Sequence, residues 1–297
     1  EYGDWEYYAQ NAGLNQADFA NLTPAERNSR QLRGFGQKRL MQQAFNYQEA
    51  LNSNLAGAAA IGSANWLMID YNRGYADDIE ASGLLDVFRL PKFAFYFFKS
   101  QEPPHHSREN AVLYIADYWL ENADRCVKVF SNCDQVELSL NGQRLGRQSP
   151  DTNQYSANLA YPPFTFTVEQ FEPGTLIARG FINGKVVARQ ERRTPGEPYQ
   201  LQLSTNCGDV LPVAGQKDVF IAYATIQDKN GTPVPTATQP VTFYLRGPGR
   251  LIGINPVEAE AGIASIVVES SGLNGKLEIS AESDGLLSGK PVRIDIR

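Results

Sequence analysis

Residues 61–101 read IGSANWLMIDYNRGYADDIEASGLLDVFRLPKFAFYFFKSQ, and the parsing of this stretch decides the fold. Residues 56–69 are mostly small or apolar, with no charge before Asp70. That run predicts a strand buried on both faces, as in a parallel α/β barrel, in preference to the half-exposed strand of a sandwich. Trp66 stands just before the strand ends. The loop after it gathers Asp70, Tyr71, Asn72, Arg73 and Tyr75 around Gly74, hydrogen-bonding and stacking groups placed where barrel enzymes build their sites. Pro91 restarts the chain as a short aromatic helix over residues 92–99, carrying Phe93, Phe95, Tyr96, Phe97 and Phe98.

Upstream, Thr23-Pro24-Ala25-Glu26 is a capping box with proline at the first helical position, so a helix is expected from Pro24. A second helical run, residues 37–52, places Leu40, Met41, Ala44, Phe45 and Leu51 close to one face. Helix, strand and helix in that order are what the end of a barrel would look like. The earlier strands are not among these residues, so a closed barrel cannot be made from them.

Downstream of Gln101 the pattern changes to short strands separated by turns: 111–115, 126–131, 135–140, 143–146, 164–168, 175–182 and 185–193. Asn141-Gly142 and Asn183-Gly184 each predict a type I′ hairpin. Seven strands with two such hairpins form the pattern of an immunoglobulin-like sandwich. Residues 194–198, TPGEP, read as a linker. Strands then follow again at 200–204, 219–227, 241–246, 250–254, 263–268, 276–283 and 291–296. The expected fold is therefore mainly β: a partial TIM-barrel remnant (helix-strand-helix) over 1–102, then two immunoglobulin-like β-sandwiches over 103–194 and 195–297. Trp119 is read as a core or interdomain filler in preference to a sugar platform.

The 297 residues, 42% hydrophobic and 20% charged, are ordinary globular material, enough for two or three domains. A net charge of −6, with 27 basic residues scattered along the chain, argues against a nucleic-acid or anionic-membrane partner. No apolar run reaches the ~18 residues of a membrane span, and no signal peptide can be read. A chain that starts at Glu-Tyr-Gly starts in mid-domain on this reading, which leaves the compartment open, the periplasm and the extracellular space included. Cys126, Cys133 and Cys207 have no metal spacing and read as free thiols. His105 and His106 follow two prolines in an apparent linker, where adjacent side chains point apart; no metal and no cofactor is expected.

Three segments in order resemble glycoside hydrolase family 2, the β-galactosidase and β-glucuronidase family. Glu1-Tyr2-Gly3 is similar to the family's nucleophile motif at the end of the seventh barrel strand. Trp66, Asp70 and Phe88-Arg89-Leu90-Pro91-Lys92-Phe93 are similar to the end of the last strand and the F-R-x-P-K-F/Y helix leading out of the barrel. Residues 129–138, VFSNCDQVEL, with Asn141-Gly142, resemble the next domain. The segment VFIAYATIQDKNGTPVP, residues 219–235, resembles the strand pair of bacterial immunoglobulin-like repeats found in adhesins and at the C-terminus of many family 2 enzymes.

The resemblance implies a retaining exo-β-glycosidase, most simply a β-galactosidase, acting on an oligosaccharide or glycoside. Glu1 would be the nucleophile, with Glu6 and Asp4 as alternatives. The family's acid/base lies in an Asn-Glu dipeptide, and no such dipeptide occurs here. Trp66 would lie against the apolar face of the sugar or else fill the barrel core. Asp70, Asn72 and Arg73 would bind hydroxyls or pair among themselves, and Arg73 suits the carboxylate of an acidic sugar. The residues alone are expected to be inactive, and to self-associate through an apolar barrel-facing surface at residues 58–61 and Trp66. The competing class is a non-catalytic immunoglobulin-like adhesin or carbohydrate-binding module.

Overall fold

The computed structural model describes residues 2–3, 31–59, 61–74, 79–104, 111–121, 125–208 and 210–297. Glu1, Asp4, Glu6, the helix expected from Pro24, Tyr75 and the two histidines lie outside them. The chain divides into two compact units, Glu1–Thr194 and Pro195–Arg297.

The first unit opens with β1 (Tyr2–Gly3), a 3-10 turn (Arg33–Phe35) and helix α1 (Gln37–Ala56). The helix starts at Gln37, as the sequence predicts, and runs four residues past 52. Its buried face is unusual in being half amide, with Gln43, Asn46, Gln48 and Asn52 beside Leu40, Ala44 and Tyr47. The outer amides serve a loop of the sandwich. Gln48 donates to the Ser156 hydroxyl at 2.9 Å and Asn52 to the Gln154 carbonyl at 2.9 Å, while Asn52 Oδ1 accepts from the Asn158 amide at 2.9 Å. Such bonds replace the partners that an irregular loop cannot find in a ladder.

The strand expected over residues 56–69 is corrected by the structure. Helix α1 occupies residue 56, and regular strand is confined to β2 (Asn65–Trp66). Ile61, Trp66 and Met68 are exposed. A parallel strand is buried on both faces only with neighbours on either side. Among the described residues, β2 has a ladder with β1 alone. A small ribbon, β3 (Tyr71–Asn72) with β4 (Ile79–Glu80), follows, and then α2 (Phe93–Ser100).

Seven strands complete the unit: β5 (Leu113–Ile115), β6 (Cys126–Ser131), β7 (Gln135–Leu140), β8 (Gln143–Gln148), β9 (Phe164–Thr167), β10 (Thr175–Ile182) and β11 (Lys185–Arg193). They form two antiparallel sheets, β5-β6-β9 and β11-β10-β7-β8. The first, second and fifth strands thus face the third, fourth, sixth and seventh, a sandwich of immunoglobulin type. Period-two alternation sends Ile115, Val127 and Val129 inward to meet Val136, Leu138, Leu176 and Ala178. Trp119 belongs to this core, 1% exposed, and donates its indole N–H to the Glu172 carbonyl at 3.0 Å. Alternate residues Tyr114 and Phe130 point the other way, into a second core with Leu40, Tyr47, Phe93 and Phe97 of the helices. Tyr96 stacks on Tyr114 at 3.6 Å. The three-stranded sheet is therefore buried on both faces. Asn141 and Gly142, and Asn183 and Gly184, all have positive φ, the backbone of the I′ turns predicted for them.

The second unit pairs β12 (Gln200–Thr205), β13 (Val219–Gln227), β17 (Ile263–Ser270) and β15 (Gly249–Ile252) in one sheet. The other holds β16 (Val257–Glu258), β14 (Pro240–Arg246), β18 (Gly275–Glu282) and β19 (Val292–Ile296). Phe220, Ile226, Val241, Phe243, Leu277 and Ile279 fill the space between them. No helix occurs among the described residues after Ser100.

Candidate active site

β1 and β2 run parallel, with Tyr2 opposite Asn65 and Gly3 opposite Trp66. The backbone of Tyr2-Gly3 and the Trp66 strand are thereby side by side and run in the same direction. Trp66 is 46% exposed, with the Tyr71 ring edge-on at 6.2 Å. An exposed indole beside a second aromatic can take the apolar face of a pyranose.

Behind Trp66 the backbone is irregular, and polar side chains hold it. The Tyr47 hydroxyl lies 2.8 Å from the Trp66 carbonyl and 2.6 Å from that of Ser82, so its one proton ties α1 to both segments in turn. Gln43 donates to the Gly83 carbonyl at 3.1 Å. Residues 67–70 and 83–86 then zip together through Leu84 N–H to Leu67, Leu85 N–H to Met68 and Asp70 N–H to Leu85.

At the centre of this scaffold Lys92, fully buried, reaches both oxygens of Asp70, at 2.9 Å and 2.8 Å, and the Ala81 carbonyl at 2.6 Å. Only the first of the two carboxylate contacts is a directed hydrogen bond. Asp70 Oδ1 also accepts the Gly83 amide at 2.7 Å. Glycine is required there, since a Cβ would sit 2.3 Å from the Asp70 nitrogen. Complete burial outweighs the ammonium and the amide and pushes the Asp70 carboxyl up to about 7. Arg33 pairs with Asp86 at 2.6 Å, and Asp86 Oδ1 accepts the amides of Phe88 and Leu90 at 2.9 Å and 2.8 Å. That bonding shapes the F-R-L-P turn that delivers Lys92.

Of the residues singled out from the sequence, Trp66 and Asn72 are on the surface, and Asn72 Oδ1 accepts the Gly74 amide at 2.9 Å. Asp70 is enclosed behind them, held by Lys92 and Gly83. Arg73 is nearly buried and lies 3.6 Å from Glu80, whose other oxygen accepts from Ser82 at 2.5 Å. Sequence reasoning quoted Lys92 only as part of a motif and passed over Tyr47, Gln43, Arg33, Asp86 and Glu80. Glu80, like Asp70, is a carboxylate within the loop segment, and Arg73 as the one cation among its acids was the signal available for a pairing there.

The described residues thus hold a short parallel strand pair backed by polar clamps, and two β-sandwiches. Residues 204–291 match the family model "Glycoside hydrolase family 2 C-terminal domain 5", and residues 124–188 match a domain of unknown function, DUF4982. The chain is 36% identical over 240 residues to a β-galactosidase of Thermoanaerobacter pseudethanolicus, covering 75% of this chain and 32% of that protein. It is 32% identical over 102 residues to a β-galactosidase of Rhizobium radiobacter, covering 34% of this chain and 72% of that one. A solved β-glucuronidase from glycoside hydrolase family 2 superposes with a TM-score of 0.67 at 26% identity, over 88% of this chain and 27% of that one. The chain belongs to glycoside hydrolase family 2. It spans about a third of the length of the first of these relatives.

Proposed function

We propose that the protein carrying this chain is a retaining exo-β-glycosidase with β-galactosides as its substrates, and that Glu1 is its nucleophile. The parallel register of β1 with β2 supports the reading, because it pairs Tyr2-Gly3, the two residues that follow Glu1 in the sequence, with Asn65-Trp66. In a retaining mechanism a carboxylate attacks the anomeric carbon and forms a covalent glycosyl-enzyme, while a second carboxyl ~5–5.5 Å away protonates the leaving oxygen and then activates water. This chain has no Asn-Glu dipeptide to supply the second group. The 297 residues by themselves should therefore hydrolyse no glycoside. Residues 1–102, 103–194 and 195–297 serve as barrel end and two sandwiches.

Trp66 offers the sugar an apolar platform and Asn72 a polar rim. Asp70 acts from behind, fixing with Lys92 the backbone that presents them. The choice of a neutral sugar rests on Arg73. Its guanidinium faces Glu80 at 3.6 Å, with both side chains largely buried. A positive charge already matched in this way has little left for a uronate carboxylate. Relatives carry both names, β-galactosidase and β-glucuronidase, so the choice rests on the Arg73–Glu80 pair.

The test is to label the active protein with a mechanism-based fluoroglycoside and map the modified peptide. Label on Glu1, with turnover abolished and binding retained in Glu1→Gln, is the expected result. Label on another carboxylate removes Glu1 from the role. Faster turnover of a β-glucuronide than of a β-galactoside overturns the sugar assignment.

A further inference from the structure

Basic residues scattered along the sequence are gathered by strand register onto one sheet face in the first unit. In the sheet β11-β10-β7-β8, Arg147 is opposite Glu137, Glu137 is opposite Arg179, and Arg179 is opposite Arg189. Residues paired this way share a face. It is the outer one, because their neighbours Leu138, Leu176 and Ala178 point into the core. The row crosses four strands, about 14 Å. Arg144 and Arg193 flank it, giving five arginines and two glutamates, Glu137 and Glu191, on this face of a chain whose net charge is −6.

Each glutamate shows how these guanidiniums take a carboxylate. Glu137 is held between Arg144 at 3.0 Å and Arg179 at 3.3 Å, and Glu191 between Arg189 at 2.8 Å and Arg193 at 2.5 Å. The arginine side chains stay about half exposed or more. Arg147 lies 3.7 Å over the Phe181 ring, which fixes its guanidinium flat against the sheet. Arg179 and Arg189 stand directly opposite each other, each with its own glutamate to one side, and five arginines against two glutamates leave this face three positive charges in surplus. Asp134, at the hairpin end of the same sheet, accepts the Asn183 amide at 2.7 Å.

We propose that this face docks a linear acidic polysaccharide, with uronate carboxylates seated between Arg147, Arg179 and Arg189. All five cations are arginines, whose planar fork matches a carboxylate with two parallel hydrogen bonds where a lysine would offer a point charge. The outward positions of the row carry no exposed aromatic ring, and a single-stranded nucleic acid would need such rings for its bases. The choice of a polysaccharide over other polyanions rests on the glycosidase reading above. The surface would hold the polymer by its uronates while the sugar site takes a neutral galactose at a chain end.

Affinity electrophoresis through gels containing polygalacturonate, with dextran as the neutral polymer, tests this at about 0.15 M salt, where loose charge attraction is screened. The wild-type chain should be retarded by polygalacturonate and not by dextran. Arg147→Gln/Arg179→Gln/Arg189→Gln should weaken the retardation about tenfold. Arg250→Gln/Arg293→Gln, which removes the same kind of charge from the second unit, should leave it unchanged. Should the Gln variant unfold, Arg147→Lys/Arg179→Lys/Arg189→Lys keeps the charge, loses the fork and should bind several-fold more weakly. No retardation of the wild type, equal retardation of the row variants, or equal loss in the second-unit variant overturns the proposal, as does equal retention by a DNA duplex. Binding is read without turnover on this chain, so polymer binding here with no glycoside cleavage by the whole protein carrying it overturns only the glycosidase reading, and cleavage by that protein without polymer binding overturns only this one.

Discussion

In the second unit the interior is made of Phe220, Ile226, Val241, Phe243, Leu277 and Ile279, and the ion pairs Arg250–Glu269 and Arg293–Glu278 lie on the outside. Behind Trp66 the arrangement is inverted. Lys92, Asp70, Arg33 and Asp86 are inside, and Trp66 and Met68 are exposed. The difference follows from what each backbone needs. Ladders satisfy most of the amides between the sheets of the second unit, so that space can be filled by apolar side chains, whereas the segments around Trp66 are too irregular to satisfy themselves and require buried side chains as partners.

If that contrast is right, Lys92→Met should damage the first unit more than any other single change in the scaffold behind Trp66. Methionine approximates the lysine's volume, yet Asp70 would be left buried without its cation, at a cost of about 3–5 kcal/mol. All three tryptophans lie in the first unit, so urea unfolding followed by their fluorescence reads this unit selectively. A midpoint within error of wild type would mean that packing alone holds the loop.

The Asp70 carboxyl gives the contrast a pH signature. Its folded value of about 7 lies above the ordinary 3.8, so between these values the native state binds the proton that the unfolded state has lost. The group's contribution to stability is thus fully present below about pH 4 and falls as pH rises to about 7, by up to ~1.4 kcal/mol per pH unit. The stability difference between wild type and Asp70→Asn should decline across that window and level off above it. A flat difference would show that Asp70 titrates as an ordinary exposed acid does.

Tyr47→Phe sharpens the comparison on a smaller scale. It removes one hydroxyl shared by two carbonyls, an expected loss of about 1 kcal/mol in the same unfolding measurement. Arg250→Gln, at the other extreme, opens an exposed pair in the second unit and should leave that unit's calorimetric midpoint unchanged. A clear drop would place electrostatics on both sides of the contrast.

The regular parts of the molecule were legible because their signals are local. Strands 126–131, 135–140, 175–182, 185–193 and 219–227 could be bounded from alternation, and the two Asn-Gly turns fixed the hairpins. The run before Asp70 misled because a small, apolar, uncharged segment reads as a buried strand whether or not neighbours exist to bury it. The clamp between Asp70 and Lys92 spans 22 residues and has no periodicity, so nothing local announces it. Trp66, Asn72 and Arg73 are singled out by the resemblance and the loop's chemistry. The pairing of Arg73 with Glu80, which bears on the choice of sugar, needed the structure. So did the arginine row, which exists only once four strands are in register.

The three-stranded sheet β5-β6-β9 has a hydrophobic layer on each side, one from the facing sheet and one from α1 and α2. The grammar of the sequence breaks at Gln101, but Tyr114, Phe130 and Leu159 on one side of that break share an interior with Leu40, Tyr47, Phe93 and Phe97 on the other. Lifting the helices would strand Tyr114 and Phe130 in water. The amide protons of α1, α2 and β6 should accordingly exchange with solvent through one common opening event, and a protease cut near Gln101 would not release an intact immunoglobulin-like module.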